Sequence, residues 1–511
     1  VAQRATITVG GRLSVEQALR GARAPCRVRF APGALARVKS SAARIERAVK
    51  DGEWVYGVTT GFGSNATHGV GREQAETLQR NLLVSHALGE GEPFSDEVVR
   101  LALLLRLHAL AQGHSGVRPA TLKALARLYE EDVLAVVPCR GSVGASGDLA
   151  PLSCLALPLI GEGQVRFKGK VLPAAVALKR AGLAPQVLSY KEGLALVNGM
   201  QITLALCLLA LQAAETALLA ADVGAALSVE ALAGRSQPFD ARVHAVRPHP
   251  GQAASAARIR SVFAGSRLVD VPVERILGKR RAPQDAYGIR CAPQVHGACG
   301  DGIAFARSVF AREIDAATDN PLILGGDILS GGNFHGEPLA LAADHLKLCV
   351  HELGSISERR LATLVDAHMN EGLPAYLAPQ KGLHSGFMIP QYVAAALVSE
   401  TKTLCFPASA DSIPTGCNIE DHVSMGPIAA RRAREVAERV FSVLALELMA
   451  ACQALDLRGL APGRGSLRVK ELVREVVPFR PQDEPWGEAL PRVRALVASG
   501  AVARAAGLSR A

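Results

Sequence analysis

Polar and apolar residues alternate over two short runs near the start of the chain, Thr6–Val9 and Arg27–Phe30, the period of a half-buried strand. Between them, helical spacing begins at Ser14. Beyond Phe30 the apolar positions take up helical spacing and keep it, so helices joined by loops are expected from there on. Ser95 predicts an N-cap, with Asp96 and Glu97 in the first turn, where negative charge suits the helix dipole. That helix runs through 101–111 and stops near Gly113; it is apolar almost all round, the pattern of a helix enclosed by others. The most membrane-like stretch, 202–221, is interrupted by Gln212 and Glu215, both costly in lipid, and is read as a buried helix. Segments 338–353, 390–405 and 427–455 also read as helices. The last opens on Pro427, carries its charges from Arg431 to Arg439 and then turns apolar. Stretches 138–151, 235–251 and 321–338, with their Pro and Gly, read as loops between helices. No repeat, low-complexity block or linker divides the chain.

Composition strengthens the helical reading. Of 511 residues 49% are hydrophobic but only 4% aromatic. Ala and Leu carry the apolar content, and both favour helix over strand. A chain of this length buries a core that needs no metal or disulfide staple. The formal charge of +10 comes with scattered arginines rather than a basic tail. With few aromatics to stack on bases, this argues against a nucleic-acid partner. The 10 cysteines stand singly, without a C-x-x-C pair, and no charged-then-apolar leader opens the sequence. Reduced thiols in a cytoplasmic protein are the expectation.

The common routes to catalysis are missing. There is no H-E-x-x-H, no His or Cys spacing typical of zinc and no G-x-S-x-G elbow. The stretch 163–170 has the wrong glycine spacing for a phosphate loop, and Gly61-Phe62-Gly63 is only a fragment of a dinucleotide fingerprint. One segment, 141–153, has a composition with chemical meaning: Gly-Ser-Val-Gly-Ala-Ser-Gly-Asp-Leu-Ala-Pro-Leu-Ser. Gly147 offers a backbone nitrogen unhindered by a side chain, able to curl onto the carbonyl carbon of Ala145. Ser146 has a hydroxyl to lose as water, and Ala145 is small enough for a tight turn.

The extended string resembles the signature of the MIO-dependent aromatic amino acid ammonia-lyases. In that family the tripeptide cyclises to 4-methylidene-imidazol-5-one (MIO), an electrophile made without any external cofactor. Further segments carry the resemblance along most of the chain. Residues 56–63, Tyr-Gly-Val-Thr-Thr-Gly-Phe-Gly, are similar to the family's mobile tyrosine loop. Residues 192–199 read Glu-Gly-Leu-Ala-Leu-Val-Asn-Gly, and 284–291 read Gln-Asp-Ala-Tyr-Gly-Ile-Arg-Cys. Asp319-Asn320-Pro321-Leu322 and 331–338, Gly-Gly-Asn-Phe-His-Gly-Glu-Pro, complete the set.

The resemblance implies a mainly α fold: an N-terminal mixed catalytic domain over 1–200, then a long helical bundle and C-terminal helical region over 201–511. It implies a homotetramer whose active sites draw on several subunits, so Tyr56 and Arg290 need not face the Ser146 of their own chain. The implied catalytic residues are Tyr56, Ala145, Ser146, Gly147, Tyr287 and Glu420, with Tyr56 as base or proton relay. The implied substrate-binding residues are His86, Asn198, Gln284, Arg290 and Phe334, with Arg290 gripping a carboxylate through its planar fork. No metal and no membrane enter.

Two positions bear on the substrate. Ser85-His86 stands where histidine-type members carry Ser-His, and Glu420-Asp421-His422-Val423-Ser424-Met425-Gly426 resembles the histidine-type E-D-H-V-S-M-G. A carboxylate at Glu420 can accept an imidazole N–H, whereas opposite a phenyl ring it is an unpaired buried charge. Elimination of ammonia from L-histidine to trans-urocanate is therefore the expected reaction. The alternatives are an aminomutase yielding β-histidine, a lyase for another aromatic amino acid and an inactive helical assembly. Ile419, Met200, Ala286, Asp315 and Pro390 depart from the family pattern; Ile419 and Met200 bear most directly on substrate choice and outcome.

Overall fold

The computed structural model describes residues 4–272, 282–380 and 382–509. The fold is mainly α, and the chain clusters into two compact units that are not contiguous in sequence. The first comprises Val1–Leu209, Arg307–Asp344 and Pro407–Arg431; the second comprises Ala210–Ala306, His345–Phe406 and Arg432–Ala511. The chain leaves the first unit after Leu209 and returns to it twice, at Arg307 and Pro407. Those returns carry Phe334 and Glu420 into the unit that holds Ser146.

In the first unit, Thr6–Val9 pairs in parallel with Arg27–Phe30, joined through helix Val15–Arg23. That helix opens on a capping box: Gln17 N–H donates to Ser14 Oγ at 3.2 Å, and Ser14 N–H donates to Gln17 Oε1 at 2.9 Å. Helix Asp96–Ala111 is buried along nearly all its length, as an all-round apolar surface requires. Ser95 takes its N-cap position without a capping side-chain hydrogen bond.

The expectation of nothing but helix and loop after Phe30 is corrected by several short ladders. Gln164–Phe167 and Lys170–Pro173 form a hairpin whose turn residues, Lys168 and Gly169, have φ of 49° and 76°. Positive φ at both positions is the type I′ geometry that matches strand twist, so the failed phosphate loop is a hairpin. A second hairpin, Leu322–Leu324 with Asp327–Leu329, occupies part of 321–338. Pro138–Arg140 pairs with Glu90–Pro93, and 235–251 contains a short helix, Ala241–Ala245. The three-residue strands Pro138–Arg140, Leu322–Leu324 and Asp327–Leu329 offer too few positions for period-two alternation to stand apart from helical spacing.

The expected helices appear as Gln201–Ala231, Glu337–Val365, Met388–Leu404 and Gly426–Arg458. Gln201–Ala231 and Gly426–Arg458 are long and apolar enough to cross a membrane by length and composition. Yet 78% and 83% of their most apolar windows are buried within the protein, the condition of core helices. Pro390, placed in the first turn of Met388–Leu404, removes no intrahelical donor.

Inside the second unit, five helices meet in a buried charged network. Arg360 donates to both carboxylate oxygens of Glu447 at 2.5 and 2.9 Å, and Glu447 also accepts from Ser228 and Ser357. His296 bonds Asp222 through Nδ1 at 2.8 Å, and its Nε2 lies 3.2 Å from Arg360 Nη1. Burial would raise the Asp222 carboxyl. The His296 hydrogen bond and charge, with Arg258 beside it, carry it below the usual carboxylate value instead.

Candidate active site

The tripeptide lies on a strained turn. Ser146 has φ of 51°, in the left-handed region, and Gly147 follows at 85°. Gly147 forms a parallel bridge to Gly199, and Asp148 N–H donates to the Gly199 carbonyl at 2.6 Å. A side chain on Gly147 would overlap that carbonyl oxygen, so only glycine fits. Asp148 is buried and accepts from Thr203 N–H at 2.8 Å and Thr203 Oγ at 2.6 Å. Burial nevertheless pushes its carboxyl up to about 6.

Helix Glu192–Val197 delivers Asn198 to this turn. Its first residue is a buried carboxylate that accepts from Arg118, Thr121 and Ser189, anchoring the helix start. Before it, buried Lys191 donates to Asp319 at 2.6 Å. Asn198 itself is buried, and its Oδ1 has no hydrogen-bond partner among the described residues. A buried acceptor left open costs free energy and marks a place prepared for another group.

These residues face a cavity of about 500 Å³ lined by first-unit residues, among them Tyr56, Ala145, Ser146, Asn198, Phe334 and Glu420. The Ser146 hydroxyl donates to Glu420 Oε1 at 2.8 Å, and Thr415 Oγ donates to Glu420 Oε2 at 2.8 Å. Tyr56 accepts from Gly63 N–H at 3.1 Å. Its loop is tied to the Asn198 helix by fully buried Gln79, which donates to Gly57 O at 3.0 Å and accepts Leu194 N–H at 3.1 Å.

His86 does not line the cavity, but the charge of Glu420 acts on it. Burial lowers its pKa from the ordinary value, with the Leu82 carbonyl and Glu420 opposing, and Ser85 Oγ lies 2.9 Å from Nδ1. Ile419 reaches the cavity wall although 59% exposed. Met200 is buried, with its methyl against Gly336 and Gly426, under the segment that carries Phe334. Asp315 accepts from Leu13 N–H and bonds His108, a role that a carboxylate performs without strain.

Gln284, Tyr287 and Arg290 belong to the second unit and do not line this cavity. Arg290 stacks on the Tyr287 ring at 4.5 Å, Tyr287 is 71% exposed, and Arg290 Nε is buried without a partner among the described residues. Ala286 is the N-cap of their short helix, Tyr287–Arg290, where the common Pro is not needed.

Four further residues contribute: Gln79, His335, His422 and Arg106. Gln79 belongs to no motif in the sequence. His335 and His422 stack in the cavity wall with ring centroids 5.8 Å apart, and His335 Nε2 lies 3.1 Å from the His422 carbonyl. Arg106 left a signal, a cation amid the apolar run 101–111. Among the described residues no group of His, Cys, Asp or Glu could hold a metal ion.

Comparison with known proteins gives the family and the fold. The sequence profile of the aromatic amino acid lyase family matches residues 13–475. The chain is 48% identical to a histidine ammonia-lyase of Gloeobacter violaceus, over 96% of this chain and 95% of the relative. Its structure resembles histidine ammonia-lyase from Trypanosoma cruzi with a TM-score of 0.90 at 39% identity, covering 98% of this chain and 95% of that one. It also resembles tyrosine aminomutase from Streptomyces globisporus, with a TM-score of 0.92 at 36% identity and 98% of both chains covered.

Proposed function

The chain belongs to the aromatic amino acid lyase family, and on that premise we propose that it eliminates ammonia from L-histidine to give trans-urocanate. The observation that carries this reading is Glu420, a carboxylate in the cavity wall hydrogen-bonded to the Ser146 hydroxyl. It gives an imidazole N–H an acceptor and gives a phenyl ring nothing. The high identity to histidine ammonia-lyases supports the same substrate.

Ala145, Ser146 and Gly147 fit the MIO group. Positive φ at Ser146 and Gly147, the glycine-only approach to Gly199 and the open Asn198 Oδ1 all suit a cyclised turn with a nearby amide. When formed, the group supplies an electrophilic methylidene carbon that makes an amino group a better leaving group.

The chain's own residues do the rest. Tyr56, on the cavity wall, acts as phenolate: its oxygen takes the substrate β-proton and becomes the phenol. Glu420 holds one imidazole N–H. His86, which burial favours in the neutral form, has Ser85 at one ring nitrogen and orients the ring through the other. Phe334 packs beside the ring.

Gln284, Tyr287 and Arg290 complete the site from a neighbouring copy in a homotetramer, with Arg290 taking the carboxylate. The exposure of Tyr287 supports that assignment. Exposure of the chain to L-histidine is the test. Appearance of the conjugated absorbance of urocanate is expected. Faster turnover of L-phenylalanine or L-tyrosine overturns the substrate. The likeness to an aminomutase gives the second reading substance, and β-histidine among the products establishes it instead.

A further inference from the structure

Arg106 lies within helix Asp96–Ala111, where apolar packing offers a cation no counter-ion. Its side chain is buried, and its hydrogen-bond partners are neutral. Nη1 donates to Gln201 Oε1 at 2.7 Å, and Nη2 donates to the carbonyls of Ala195 and, at 3.0 Å, Asn198. Its Nε is buried without a partner among the described residues. Burial lowers the guanidinium to about 10, against the more distant charges of Asp319 and Asp148, so it remains a cation at neutral pH. Removing a charge from water and answering it with carbonyls is costly. A hydrophobic residue would fill this helix position without that cost.

What the cation holds is the turn behind the tripeptide. The Ala195 and Asn198 carbonyls lie at the C-terminal end of helix Glu192–Val197, where carbonyls run out of intrahelical donors. Gln201, gripped by Arg106, passes the constraint on by donating to Thr318 Oγ at 2.7 Å. Gly199 is enclosed on both sides. A side chain on it would overlap Arg106 Nη1, and a side chain on Gly147 would overlap the Gly199 carbonyl. Guanidinium, Gly199 and Gly147 are therefore three layers in direct succession.

We propose that Arg106 is the positioning residue for maturation, holding the Asn198–Gly199 peptide against Gly147 so that Gly147 nitrogen meets the Ala145 carbonyl carbon. The inference rests on the reading that the tripeptide cyclises. In that step the Gly147 N–Ala145 C bond forms. The Ala145 carbonyl oxygen leaves as water with the amide protons of Ser146 and Gly147, and a C=N bond remains between Ala145 and Ser146. Ser146 then loses its hydroxyl and its Cα proton as a second water. No oxidant or co-reactant is required. Misplacing reacting atoms by about 1 Å costs on the order of a hundredfold in rate, so a slack turn closes slowly.

The test is the intact mass of the full chain, read beside circular dichroism and gel-filtration elution. Wild type should lack two waters. Arg106→Met should fold and elute as wild type yet hold at least roughly tenfold less of the doubly dehydrated species, on the same misplacement argument. Arg106→Lys, which keeps the charge and some carbonyl contacts, should recover part of it. Gln201→Leu, which frees one side of the guanidinium, should show a smaller deficit. A folded Arg106→Met protein lacking both waters in full overturns the proposal. Should Arg106→Met not fold, complete dehydration of both Arg106→Lys and Gln201→Leu overturns it equally. A wild-type chain of unmodified mass defeats the cyclisation reading itself, a result distinct from dehydration in wild type and variants alike.

Discussion

Arg106 and Arg360 are both fully buried arginines, and the molecule treats them in opposite ways. Arg360, in the second unit, is clasped by both oxygens of Glu447, with His296 beside it and Asp222 behind. Arg106, in the first unit, is met by two carbonyls and one amide oxygen. Near it Asn198 Oδ1 lacks a partner among the described residues and Ser146 stands at positive φ. A paired buried charge is organised to hold helices together. Open acceptors and strained backbone next to an unpaired cation characterise a place where structure is given up for chemistry. Substitutions in the first region should thus change what the protein makes, and those in the second should change whether it stays folded.

The largest effect is expected from Ser146→Ala. Turnover of L-histidine should fall by roughly three orders of magnitude or more, while stability moves by less than about 1 kcal/mol. Steady-state kinetics and denaturant unfolding read the two quantities. Substantial residual turnover, or collapse of the fold, would break the contrast. Next comes Arg360→Met, which strands the Glu447 carboxylate and should cost about 3–5 kcal/mol in urea unfolding. Adding Glu447→Gln should recover part of that loss through coupling between the sites. The folded fraction should remain fully dehydrated by mass, and a marked loss of dehydration would erase the distinction between the regions.

Glu420→Gln should weaken L-histidine use by roughly 10- to 100-fold in kcat/KM, the worth of a hydrogen bond to a charged group. It should also shift preference toward L-phenylalanine. An unchanged ratio of the two substrates would remove Glu420 from selectivity.

The smallest effect is a slope. Asp148 binds its proton more tightly when folded, near 6 against an ordinary 3.8. The unfolded chain therefore holds fewer protons between those values, and this contribution to stability is present below pH 3.8 and is lost as pH rises through about 6. Asp148→Asn should flatten that part of the stability–pH curve, measured by denaturation at successive pH values. An unaltered slope would exclude Asp148 as its source.

Much of the fold could be read along the chain. The strands Thr6–Val9 and Arg27–Phe30, the Ser14 cap and the long helices follow from periodicity and capping, which act over a few residues. The hairpin at 164–173 was hidden because its I′ turn uses Lys168-Gly169, a weaker signal than Asn-Gly. In the site, Tyr56, Ser146, Asn198, Phe334 and Glu420 were named from motifs and share one cavity. Gln284, Tyr287 and Arg290 were named beside them and lie in the other unit.

Helical character, the Ala-Ser-Gly tripeptide among glycines and the residue types able to receive an imidazole are all legible along the chain. Each depends on local backbone preference or intrinsic side-chain chemistry. That Glu420 meets Ser146 across 274 positions, that Gly199 closes on Gly147 and that a buried cation stands behind both is visible first in the folded chain. Such distances come from packing of elements far apart in the chain, which periodicity does not encode. The string at 141–153 supplies the residues for the proposed cyclisation; the layers behind it hold the turn where that step can begin.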